Sequence, residues 1–256
     1  MSAYRYRSVD HPEFFDFHDS LFELDHADEA EIAVYARGLN IHREAEENPK
    51  GYDLEILRAH IVFRGIREVT YDPGRTWITD EHGNSVPVGP EILYRGEEAL
   101  DRIKKDFLAG ADIYSHTIVD GDYYEICGWG NDFFSIRFKA REFAVEWEDY
   151  RGPAWYVRTR QYEREVVLTT PQGERTTQAC FILDYDPDEL FRADTVDEVE
   201  YKKISVGLSY DGKDLWGRDK AAPDGLNDAL AELQKQLPEG VGIKCLLSSG
   251  PGETSR

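Results

Sequence analysis

Hydrophobic and polar residues alternate with period two along most of the chain, the mark of strands with one buried face and one wet face. In SLFEL, Ser20, Phe22 and Leu24 share a face; in EIAVYA, Ile32, Val34 and Ala36 do the same. The polar DHADEAE between them makes the pair an antiparallel hairpin. Next, EILRAHIVFRGI sets Ala59, Ile61 and Phe63 against His60, Val62 and Arg64, and YDPG (71–74) and EHGN (81–84) read as turns. In DFFSIRFKAREFAVEWED, Phe134, Ile136 and Phe138 take even positions, while Phe143, Val145 and Trp147 take odd ones. The phase changes inside KARE, as a tight hairpin or a bulge requires. Their alternating partners are mostly polar, so the second face is wet or partly covered.

Helical spacing holds in two places. In GEEALDRIKKDFLAG, Leu100, Ile103 and Phe107 lie on one face, Glu97 and Glu98 sit in the first turn, and Gly110 ends the helix. In PDGLNDALAELQKQLPEG, Leu226, Leu230, Leu233 and Leu237 form the stripe, Asp224 is the N-cap, and Pro238 and Gly240 stop it. DPDELFRADTVDEVE is mainly a connection with room for a short helix at PDELFR. Ile204, Val206 and Leu208 then alternate into Asp211–Gly212, a strong hairpin signal. A last strand carries Val241, Ile243 and Cys245, and SSGPGETSR reads as a disordered tail. Strands far outnumber helices. The fold class is therefore α+β, mainly antiparallel β-sheets with two principal helices, about 96–109 and 224–237. Gly152–Pro153 breaks the pattern and divides a β-rich α+β domain (1–152) from a smaller one (153–256) with a C-terminal helix–strand unit. A wide loop within one sheet system fits the same break.

Composition narrows the class. A chain of 256 residues, 41% hydrophobic, can bury a sizeable core. No apolar run approaches the ~20 residues that cross a bilayer, and MSAYRYRSVDHPEF lacks the apolar stretch of a signal peptide. Cys127, Cys180 and Cys245 are odd in number and far apart, which suits reduced thiols and a cytoplasmic setting. The net charge is −21. Residues 1–200 hold 43 acids and 22 bases, whereas 201–256 hold 8 of each, so the excess sits on the first four-fifths. Such a field repels nucleic acid and anionic membranes and attracts basic partners; it also serves plain solubility.

Candidate chemistry is sparse. FFDFHDSLFELD sets His18, Asp19 and Ser20 side by side, the residue types of a hydrolytic triad. If 18–24 form a strand, His18 and Ser20 share a face and Asp19 points away, which no triad tolerates. The histidines, at 11, 18, 26, 42, 60, 82 and 116, show no zinc spacing. DYDPDE (184–189) begins like a calcium loop but has Glu189 where glycine is needed and Thr195 where glutamate is needed. VDGDYYE suits a hairpin turn at Gly121, and GWGND a β-turn. Phosphate-binding loops and the nucleophile elbow are missing. Cys127 and Cys245 look like inert core thiols. WYVRTRQYER interleaves Arg158, Arg160 and Arg164 with aromatics, but its acidic surroundings favour cross-strand ion pairs over nucleic acid. EFAVEWEDYRGPAWY concentrates Trp147, Tyr150, Trp155 and Tyr156 among carboxylates. These are either interface anchors or a core strand followed by a loop that closes a sheet edge.

FHDSLFELD, GNDFFSIRFKAREFAVEWEDYRGPAWY and LAELQKQLPEGVGIKCLL resemble segments of small β-rich bacterial proteins of unassigned function. The first two are also similar in style to polymorphic-toxin immunity proteins: acidic, cytosolic, built of antiparallel sheets and without a catalytic motif. The resemblance covers the N-terminal half and, separately, the C-terminal helix–strand unit. It implies a binding role and transfers no catalytic residue.

The expectation is a non-enzymatic acidic module that binds a basic protein, in the manner of an immunity-type inhibitor, without cofactor, metal, nucleic acid or membrane. Its carriers are Glu146, Trp147, Glu148, Asp149, Tyr150 and Trp155. A second reading is a small-ligand binder or hydrolase-like enzyme with a pocket near His18 and His60. A third is a structural or assembly protein acting by sheet-edge pairing.

Overall fold

The structure, a computed structural model, describes residues 4–120 and 122–245. The disordered tail expected at 248–256 and the turn at Gly121 lie outside the described residues, as does the side chain of Cys245. The chain forms two compact units, residues 1–49 with 53–152 and residues 50–52 with 153–256.

Ten strands of the first unit make one antiparallel sheet. In chain order they are β1 (Tyr6–Val9), β2 (Ser20–Ala27), β3 (Glu31–Arg37), β4 (Ala59–Arg64), β5 (Arg67–Asp72), β6 (Tyr94–Arg95), β7 (Ala111–Val119), β8 (Tyr123–Trp129), β9 (Phe133–Lys139) and β10 (Glu142–Trp147). Their spatial order is β1-β10-β4-β3-β2-β7-β8-β9-β5-β6. The β2–β3 hairpin is present as its alternation requires. Asp28 holds its turn, accepting from the backbone N–H groups of Ala30 and Glu31.

The connection inside KARE is not a hairpin. β9 pairs with β8 and β5, whereas β10 pairs with β4 and β1. β4 and β5 are split the same way. Both strand pairs are long runs that bend from one half of the sheet to the other. The bends pack together: Arg141 N–H donates to the Arg64 carbonyl (2.8 Å), and a Cβ on Gly65 (φ +67°) would lie 2.8 Å from that of Arg141. A phase change reads alike for a turn and a bend, because alternation reports the face of a side chain and not the strand beside it.

The bends fold the halves over a shared core. Phe63 of β4 meets Tyr124 of β8 and Phe138 of β9 edge-on, at 5.1 and 5.0 Å. Helix α1 (Glu97–Ala109) adds Ala99, Leu100, Ile103 and Phe107 to this core. Its Asp106 is buried yet satisfied: Tyr71 donates its hydroxyl, and Asn131 donates its side-chain amide (2.8 Å). Four short strands, Phe15–Asp16, Asn40–Ile41, Leu54–Ile56 and Tyr150–Pro153, form a separate small sheet.

In the second unit β11 (Thr159–Thr170), β12 (Gly173–Asp184), β13 (Lys203–Tyr210), β14 (Lys213–Ala221) and β15 (Gly242–Cys245) form an antiparallel sheet in the order β14-β13-β12-β11-β15. Asp211 and Gly212 both take positive φ (51° and 74°), the conformation of a two-residue hairpin turn. Helix α2 (Pro187–Arg192) is capped by the Asp186 carboxylate. Helix α3 (Gly225–Gln236) buries Ala229 and Leu233, and Gly217 of β14 lets its backbone approach closely. No helix of the described residues is long and apolar enough to cross a membrane.

Candidate binding surface

The six expected carriers divide between the units. Trp147 points inward and is 0% exposed, stacked on Tyr6 (5.4 Å) and edge-on to Phe15 (6.0 Å). It cannot reach a partner, and the reading of it as an exposed anchor is corrected. Its parity with Phe143 and Val145 is the reason: the inner face is apolar along all of β10. Tyr150 is half-buried, and its hydroxyl donates to the Glu47 carbonyl (2.5 Å). Glu148 and Asp149 are exposed, with Glu148 accepting from the Arg5 backbone N–H (3.2 Å). Trp155 is exposed in a 3₁₀ turn of the second unit, edge-on to Tyr156.

Glu146 belongs to a closed circuit of polar contacts, in which four carboxylates meet Arg7, Arg64 and the imidazoles of His26 and His60, on the outer face of β1, β10, β4, β3 and β2. Arg7 contacts Glu146 (3.1 Å), Glu146 faces His60 (3.8 Å), and His60 contacts Asp25 (3.1 Å). The same Asp25 oxygen lies 3.3 Å from His26, whose other ring nitrogen lies 2.7 Å from Glu31. Glu31 continues to Arg64 (2.6 Å), Arg64 to Glu142 (2.5 Å), and Glu142 returns to Arg7 (3.7 Å). Beneath it Ala33, Val62 and Ala144 stand opposite one another in register, each at most 1% exposed. The charged side chains thus roof a row of small apolar residues with their stems while pairing their heads.

His18 and Ser20 do not lie on one strand face. Residues 18–19 form a turn, with Asp19 at φ +64°, and β2 begins at Ser20. His18 is exposed beside Asp19 (3.0 Å), and Ser20 is fully buried. His18 and His60 have no contact partner in common: His60 lies among Asp25, Glu146, Tyr4 and Tyr35. Among the described residues no group of three or more His, Cys, Asp or Glu could hold a metal ion.

Two histidines are perturbed. His116 of β7 stacks on Phe17 (4.3 Å), and burial holds its imidazole down to about 4. His42 contacts Asp53 (3.0 Å) across the end of the small sheet, and that hydrogen bond raises it. Burial, with the Glu163 charge, raises the Cys180 thiol, which makes it a poor nucleophile.

The surface left unsatisfied is apolar. On the outer face of β8 and β9, Trp129 (48% exposed) stands opposite Phe133 (40%). A two-stranded ribbon, Thr76–Thr79 with Ser85–Val88, starts from the same place. Gly74 at its base has φ +70°, and a Cβ there would lie 2.9 Å from Phe133. The ribbon exposes Trp77 (58%), Ile78 and Val88. On β7, Tyr114 and Ile118 are also exposed. The 111–129 hairpin that frames these residues contains Asp112, Asp120, Asp122 and Glu125 and no lysine or arginine.

Comparison with known proteins finds no match among family models, curated proteins or solved structures. None of the surface residues stood out in the chain pattern. A signal was there: Phe133 and Trp129 are apolar residues on the wet parity of strands whose inner face holds Phe134, Ile136, Tyr124 and Ile126.

Proposed function

We propose that the chain is a non-enzymatic acidic module that captures a basic protein, as an immunity-type inhibitor in a bacterial cytosol would. The observation that carries this reading is the exposed Trp129–Phe133 pair at the foot of the apolar ribbon, on a unit rich in carboxylates. Apolar side chains on a wet sheet face are unfavourable without a partner, and aromatic anchors concentrate binding energy. The surrounding acids steer a basic partner and accelerate its arrival. Glu148 and Asp149 contribute to that field at a distance. Glu146 adds less, since Arg7 pairs with it.

The test is retention from a host lysate at low and high salt, with the wild-type chain beside Trp129→Ser/Phe133→Ser. A basic protein held by the wild type, released by salt and lost by the double variant supports the reading. Equal retention by the double variant removes the surface from it, and no specific retention at low salt overturns it.

A further inference from the structure

We propose that the free edge of β7, Ser115–Val119, takes up an extended basic segment of a partner protein as an additional strand. The inference rests on the binding function above and names the mode of attachment.

β7 lies inside the sheet by strand order, but β2 covers only its first residues, with Ala111, Asp112 and Ile113 opposite Phe22, Leu21 and Ser20. The Asp19 backbone N–H donates to the Ile113 carbonyl (2.9 Å), and the chain then turns away at residues 18–19. Past that point no strand among the described residues pairs with this side of β7. The other side is paired with β8: the register shifts between Ile113 and Ser115, and from Ser115–Cys127 to Val119–Tyr123 the pairing is regular. Ser115, Thr117 and Ile118 are exposed, as residues without a neighbour strand must be. A row of unpaired backbone donors and acceptors on a fixed strand is a template for strand addition. Proteins usually blunt such edges with lysine or proline; SHTIV contains neither and has three β-branched residues.

Charge selects the occupant. Asp112 is exposed at one end of the strand; beyond the other, Asp120 and Asp122 pair with Arg137 and Lys139 of β9, so the sign of the field comes from Asp112 and from the excess of acids over bases in residues 1–200, 43 against 22. A second copy fits badly: β7 against itself, centred on His116, pairs Tyr114 with Ile118 but sets Asp112 against Asp120. A segment alternating apolar and basic residues places its apolar side chains beside Ile118 and its cations over the wet face.

The probe is a synthetic peptide of alternating lysine and valine, with a glutamate–valine peptide as control, titrated against the full chain. The lysine peptide should bind and the glutamate peptide should not, and amide exchange along 115–119 should slow on binding. Thr117→Lys adds an exposed cation without touching the core and should weaken binding at least tenfold, whereas the same cation at an exposed position of the second unit, Gln172→Lys, should leave it unchanged. Absence of binding, equal binding by Thr117→Lys, or binding without protection of 115–119 would overturn the edge and leave the lysate test of the Trp129 surface to stand on its own. A homodimer abolished by Thr117→Lys would overturn it in favour of a second copy.

Discussion

The ten-stranded sheet has two outer faces that manage exposure in opposite ways. On β1, β10, β4 and β3 the wet face is charged, and its charges close on one another over Ala33, Val62 and Ala144. On β8 and β9 the wet face turns apolar at Trp129 and Phe133, and nothing among the described residues roofs these two. The first face pairs its own charged groups, while the second leaves two large aromatic side chains half exposed. Dense carboxylates are therefore a poor guide to recognition here, because the most regularly placed of them already have partners. Apolar residues on the wrong parity are the better guide.

The largest effect tests the inner boundary of the first face. Trp147→Ala should cost about 3–5 kcal/mol in urea unfolding, the range for emptying a packed aromatic site. A loss below ~0.5 kcal/mol, the range of surface changes, would place Trp147 outside the core.

Next is the pH response. Burial lowers the folded-state value of His116 to about 4, against 6.5 for the free imidazole. Between these values the unfolded chain binds a proton that the folded chain refuses. The stability present above 6.5 is therefore lost as pH falls to about 4, by roughly 3 kcal/mol. His116→Leu should flatten that fall. His42 has the opposite sign: its folded value is raised, so its contribution is present below 6.5 and fades as pH rises through the raised value. Unfolding midpoints of His116→Leu and His42→Gln across this range separate the two.

A smaller loss is expected from the circuit. Arg64→Ala should cost about 1 kcal/mol or less, because its side chain is 39% exposed, and the loss should shrink in high salt. A loss independent of salt would mean that the stem of Arg64, and not its charge, protects Val62. The smallest change in stability, within ~0.5 kcal/mol, is expected for Trp129→Ser with Phe133→Ser. That variant should unfold like the wild type and yet fail to retain a partner. A marked loss of stability would make the pair a structural feature and erase the contrast between the two faces.

Much of this architecture was legible in the chain. The α+β class, both long helices, the Asp211–Gly212 turn and the inner faces of β2, β3, β4, β9 and β10 follow from local periodicity and turn chemistry. So does the inward direction of Trp147, although its acidic neighbours pointed the other way. The bend at Ala140–Arg141 was not legible, and it decides which strands meet. The circuit of polar contacts joins residues from five strands that no local spacing connects.

The sequence by itself determined which residues face inward and where the chain turns, because backbone stereochemistry and solvent act on each segment separately. Tertiary structure alone decided which carboxylates meet an arginine, that His18 and His60 share no contact, and that β7 outruns its neighbour. Each of these depends on strand partners far away in the chain, and the pairing is set by how one common core is filled.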